Sequence, residues 1–117
     1  MYPHTVLEYE FLYRNKMATV YLLNGSIKII GFTKENSTFN LQVLTIGHHP
    51  RRKGLGRMAL QFLRPRFKKI VVIGIRWGAL PFWLKMKECG LVDHLLTIKE
   101  GRTLYLIKRT TKLDRAG

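Results

Sequence analysis

The residues that could do chemistry in this chain are concentrated in one short segment. Positions 51 to 57 read Arg51-Arg52-Lys53-Gly54-Leu55-Gly56-Arg57. Three consecutive cations precede two glycines spaced one residue apart, and a fourth cation follows. Glycine has no Cβ, so backbone at these positions can come close to a ligand. Apolar residues then fall at Leu55, Met58, Ala59, Phe62 and Leu63, the stripe of an amphipathic helix. The helix therefore opens inside the segment. Its first N–H groups lack intrahelical partners, and its macrodipole adds partial positive charge at the same point. Cations, free N–H groups and glycines together make a cradle for phosphate.

Spacing narrows the choice of phosphate ligand. A nucleotide P-loop needs Gly-Lys-Ser/Thr at its end, and here Arg57 and Met58 follow Gly56. A dinucleotide fingerprint needs a third glycine, where this chain has Ala59, and a parallel βαβ unit rather than hairpins before it. Just upstream, His48 and His49 are weak candidates for a base or a phosphate contact, with exposed loop imidazoles as the simpler reading. They lack metal partners: His4, His94 and Cys89 stand at no ligand spacing, so no metal site is expected. Cys89 reads as a small buried packing residue. Tyr105, on the last strand, is a weak candidate proton donor. Trp83 suits either a ligand tunnel or the core, and Trp77 lies at the end of a strand where it would flank a cleft.

The elements that must position this segment follow from periodicity. Residues 5–12, Met17–Leu23, Ser26–Phe32 and Thr38–Ile46 read as four strands, with Asn24-Gly25 as a tight hairpin turn. On the fourth, Phe39, Leu41, Val43 and Thr45 are expected on one face. The helix from Leu55 should end or kink at Pro65. Lys69–Ile75 is a continuous branched run and reads as a buried strand. Ala79, Phe82, Trp83 and Met86 form a second helical stripe, with Pro81 near its first turn and Gly90 at its stop. Leu91–Ile98 and Thr103–Arg109 close the chain as strands, and residues 110–117 read as a flexible tail. The expected fold is a single α/β domain over 1–117. It has a mixed, mostly antiparallel sheet in the order β-β-β-β-α-β-α-β-β.

Composition agrees with one domain. The 117 residues are 46% hydrophobic and carry 21 Lys+Arg against 7 Asp+Glu, a net charge of +14. No acid occurs between positions 36 and 87. A single cysteine excludes a disulfide framework and a multi-cysteine zinc site. No apolar run is long enough for a membrane helix, and the N-terminus lacks a signal-peptide pattern, so a soluble cytoplasmic protein without membrane contact is expected. The charge implies an anionic partner: a phosphorylated small molecule, an acidic protein or a nucleic acid.

Arg51, Gly54 and Gly56 match [RQ]-x-x-G-x-[GA], and the segment resembles the acetyl-CoA signature of the GNAT superfamily of N-acetyltransferases. The chain resembles a small or trimmed member of it over roughly residues 17–109, where the element order also agrees. The resemblance implies that strands four and five splay and that the pantetheine arm of acetyl-CoA pairs beside Leu44, Thr45 and Ile46. It places the diphosphate on Arg51, Arg52, Lys53, Gly54, Leu55, Gly56 and Arg57, with Trp83 near the arm. The implied activity is acyl transfer from acetyl-CoA to a primary amine; the acceptor is not named by the sequence, and an open site would suit a peptide or protein. The chain departs from the family pattern at two points. Its fourth strand has no glutamate base, and the helix tyrosine that protonates the leaving thiolate is replaced by Met86, with Leu91 in place of a phenylalanine. The alternatives are a catalytically degenerate binding or structural member, such as small viral and phage proteins resemble, or a basic module associated with nucleic acid. The strand edge near 5–12 offers a surface for a homodimer.

Overall fold

Three tight turns of two or three residues build the first half of the molecule. The computed structural model describes residues 3–47, 54–99 and 103–107. Strands β1 (Val6–Tyr13), β2 (Lys16–Leu23), β3 (Ile27–Lys34) and β4 (Thr38–Thr45) run antiparallel in sequence order. Positive φ at Arg14 and Asn15, at Asn24 and Gly25, and at Asn36 and Ser37 turns the chain each time. Such paired left-handed residues match the twist of the flanking strands. The Asn24-Gly25 turn and the polar turn at Lys34–Ser37 fall where expected. Asn24 also ties down the start of the chain, its Oδ1 accepting from the backbone N–H groups of His4 (2.7 Å) and Thr5 (3.1 Å).

The second half alternates helix and strand: α1 (Leu55–Leu63), a 3-10 turn at Arg64–Arg66, β5 (Lys69–Ile75), a 3-10 turn at Trp77–Ala79, α2 (Leu80–Glu88), β6 (His94–Lys99) and β7 (Thr103–Ile107). Pro65 sits inside the first 3-10 turn and ends α1, as expected. The seven strands form one sheet in the order β1-β2-β3-β4-β5-β6-β7. Its β4–β5 and β5–β6 pairs are parallel and the rest antiparallel. The described residues are thus α/β, with a mixed sheet and two α-helices. Two right-handed crossovers stepping the same way across a sheet put both helices on one face. The core lies there, between Met58, Leu60 and Leu63 of α1, Trp83 and Met86 of α2, and Leu23, Ile29, Phe39, Leu41, Ile70 and Leu95 of the sheet.

Two strand expectations are corrected. The expected strand from Leu91 begins only at His94: Gly90 stops α2 with φ of 79°, and Leu91 and Val92 turn into the core before the chain extends. The four residues expected on one face of β4 divide between both faces. Val43 pairs with Ile30 and Leu41 with Gly31, so Gln42 is an extra, bulged residue. Phe39 and Leu41 point to the helices, while Val43 joins Ala18, Val20 and Ile30 on the opposite face.

An ion pair locks the crossovers together. The Arg64 guanidinium donates to Asp93 Oδ2 (2.9 Å) and to the carbonyls of Phe67 (3.0 Å), Lys68 (2.7 Å) and Gly90 (3.3 Å). Asp93 Oδ2 also accepts from the N–H of Ile70 at 2.7 Å. Charge-assisted bonds of this kind satisfy carbonyls at two loops at once. Arg66 lies 4.0 Å from the centre of the Phe62 ring. Two cations of the acid-free span therefore serve the fold itself.

Candidate ligand cleft

Strands β4 and β5 pair only over the first half of their length. The ladder runs from Thr38 opposite Lys69 to Leu41 opposite Val72 and stops. Both strands carry an irregularity where pairing ends: the bulge at Gln42, and a shift between Ile73 and Ile75 at Gly74, whose φ is 78°. Bulges re-aim strands and terminate ladders. Past this point a cleft of about 360 Å³ opens between Gln42–Leu44 and Ile73–Ile75. Trp83 of α2 lines it, and so do Tyr13, Arg14, Gln42 and Arg76, whose side chains have polar ends. Its volume lies in the range of small-molecule sites. No Asp or Glu is among its described lining residues.

The N-terminus of α1 belongs to the same end of β4. Gly54 is its N-cap, with φ of 86° and no side-chain cap, and the first turn holds no acid. A Cβ on Gly54 would meet nothing within 4 Å among the described residues. A side chain would still be strained in this left-handed conformation. Gly56 has a different reason to be glycine: its Cβ would lie 2.8 Å from the ring of Phe82. The spacing of the two glycines therefore reflects one uncapped helix start and one close contact between α1 and α2, which corrects the expectation that both make room for a ligand.

The expected site residues divide accordingly. Leu44 and Trp83 line the cleft, and Trp83 is also buried in the core. Thr45 is exposed opposite Lys28 and does not line the cleft, and Ile46 packs against the core. Leu55 turns its side chain to the core, and Arg57 is exposed on α1. His48, His49, Arg51, Arg52 and Lys53 lie outside the described residues. Tyr105 takes its place in β7 opposite Thr97. Thr97 pairs with Ile75 at the cleft wall, and its buried hydroxyl has no partner among the described residues. Cys89 is exposed at the end of α2, not a buried packing residue. Trp77 is 59% exposed beyond β5.

The cleft residues that sequence reasoning missed are Tyr13, Arg14, Gln42 and Arg76. Hairpin arithmetic does not find Tyr13 and Arg14. The β1–β2 turn lies at the end of the sheet where β4 and β5 begin, and Tyr13 comes to the cleft on the face away from the helices, where it packs with Val43 on Ala18, Val20 and Ile30.

Among the described residues no helix is long and apolar enough to cross a membrane, and no three His, Cys, Asp or Glu residues group to hold a metal ion. No family model, curated protein or solved structure matches this chain.

Proposed function

We propose that this chain is a trimmed GNAT-like N-acyltransferase that takes acetyl-CoA in the β4–β5 cleft and passes the acyl group to a primary amine. The observation that carries the reading is the early end of the β4–β5 ladder at Leu41 and Val72, with a cleft beyond it. An extended amide-bearing arm is the ligand best suited to such a gap, because it can use the β4 backbone as one more strand would. The uncapped start of α1 at Gly54 supplies N–H groups and dipole for the diphosphate, and Arg51, Arg52 and Lys53 precede it in the chain. The fit is supported on both counts, by a gap of small-molecule size and by an uncapped helix N-terminus that follows β4 in the chain.

Tyr13 has the one phenol among the described lining residues, and it holds the proton that the departing thiolate requires. With no carboxylate there, the amine gives its proton to water, and rate enhancement comes mainly from holding the amine and thioester together. Calorimetric titration with CoA tests binding. Heat and a raised Tm are expected, whereas neither effect at about 1 mM CoA, the limit of weak binding, overturns the reading. Release of free thiol from acetyl-CoA with a panel of amines tests transfer, and Tyr13→Phe is expected to slow it about 100-fold while CoA affinity is retained.

The acid-free cleft also favours a second reading, in which CoA is bound without transfer. CoA binding with no thiol release from any amine in the panel selects it.

A further inference from the structure

Both helices cover one face of the sheet, and the opposite face has its own character. Register places Tyr9, Phe11 and Tyr13 of β1, Lys16, Ala18 and Val20 of β2, and Lys28, Ile30, Phe32 and Lys34 of β3 on it. Ala18, Val20 and Ile30 are buried there without any helix above them. Aromatic rings cover them. Phe11, Tyr13 and Phe32 run in a row, with centroids 6.0 and 6.2 Å apart. Tyr9 and Phe11 are each 38% exposed. Cations flank the row: Arg14 lies 5.3 Å from the centre of the Tyr13 ring, and Lys16 and Lys34 lie 5.8 and 5.9 Å from that of Phe32. The carboxylates of β1 are on the other side, since Glu8 is opposite Tyr21 and Glu10 opposite Thr19.

We infer that this open face is a platform for single-stranded nucleic acid, with bases stacked on the Tyr9–Phe11–Tyr13–Phe32 rings and phosphates held by Lys16, Lys28, Lys34 and Arg14. A sheet face with two or three exposed rings suits bases splayed from a single strand, and duplex bases are already stacked and out of reach. Charge argues for a polyanion over a second copy. Each chain carries +14 overall, and joining two such faces sets like charges against each other. The platform shares Tyr13 and Arg14 with the β4–β5 cleft, but Tyr9, Phe11, Phe32, Lys16, Lys28 and Lys34 do not line that cleft, so variants at Phe11 and Lys16 test this inference separately from the acyl-CoA reading.

Fluorescence anisotropy with a labelled 12-nucleotide oligo(U) tests it, alongside a duplex of equal length, heparin and anionic phosphatidylserine vesicles. The single strand is expected to bind at least tenfold more tightly than the duplex. Its log affinity should fall with log salt at a slope of about −3, the value for four phosphates neutralised on a single strand. Phe11→Ala is expected to weaken it about fivefold or more, the loss of one stacked base. Phe11→Tyr should restore affinity, and Lys16→Gln should lower the salt slope. Circular dichroism of each variant separates lost contacts from lost folding. Equal affinity for duplex or heparin, unchanged binding in the folded Phe11→Ala variant, preference for the vesicles, or a sedimenting dimer that excludes the oligonucleotide would overturn the proposal.

Discussion

The two faces of this sheet solve the same problem by different means. On the helix side, Phe39, Leu41, Ile70 and Leu95 are sealed by close packing against α1 and α2, with 0–1% of each exposed. On the open side, Ala18 and Val20 are sealed just as well, at 0 and 1%, but by Tyr13, Phe32 and Val43, with the Lys16 and Lys34 ammonium groups beside the Phe32 ring. Lysine stems can cover apolar surface while their charged ends stay in water. The helix side therefore draws its stability from shape. The open side keeps removable covers, which is what a binding surface needs.

Substitution should separate the two faces most sharply at their aromatics. Phe39 is fully buried, stacked on Phe67 at 4.7 Å and near Tyr21 at 6.1 Å. Phe39→Ala should cost about 3–5 kcal/mol of unfolding free energy in urea titrations. A loss below about 1 kcal/mol would mean that the helix side is no better packed than the open one. Asp93→Ala comes next. It leaves Arg64 and the Ile70 N–H without their shared acceptor, in a partly buried setting, and should cost about 1–3 kcal/mol.

A third effect appears only in alkali. Burial, followed by the charge of Glu8, raises the Tyr21 phenol above its ordinary value near 10. Below pH 10 both folded and unfolded chains hold that proton. Between the ordinary and the raised value only the unfolded chain releases it, so stability falls as the pH climbs past 10. Urea midpoints measured at pH 9 and pH 11 should show the decline, and Tyr21→Phe should remove its share. Smallest is Phe11→Ala on the open face, expected to change stability by under about 1 kcal/mol although it weakens nucleic-acid binding. A larger loss of stability would make that ring part of the core and weaken the contrast.

Much of the scaffold could be read from residue patterns, because those patterns were locally consistent. The Asn24-Gly25 turn, the α1 stripe, Pro65 and the branched run of β5 each announce one structure. What escaped depended on contacts between distant segments. Arg14-Asn15 carries no glycine, yet it turns through two positive φ values that the pairing of β1 with β2 enforces. Gly56 looked like a second ligand-facing glycine, and only the position of α2 shows that Phe82 fills the space beside it. Leu91 and Val92 are good strand formers that the core captures before β6 begins. At the cleft, the sequence pointed to the strand and the helix start, but not to Tyr13 or Arg76, which arrive through topology.

The single extra residue at Gln42 acts as a phase inverter. Upstream of it, odd-numbered positions of β4 look toward the helices; downstream, even-numbered ones do, so Leu44 reaches the core side and Val43 the open side. Deleting Gln42 would therefore iron out the bulge and leave Val43 and Leu44 on the faces they now occupy, still opposite Ile30 and Ile29. What the deletion would remove is the irregularity at which the β4–β5 ladder ends, so pairing would run on past Leu41 and narrow the cleft. The opening in this sheet rests, on the β4 side, on the presence of one residue rather than on its identity.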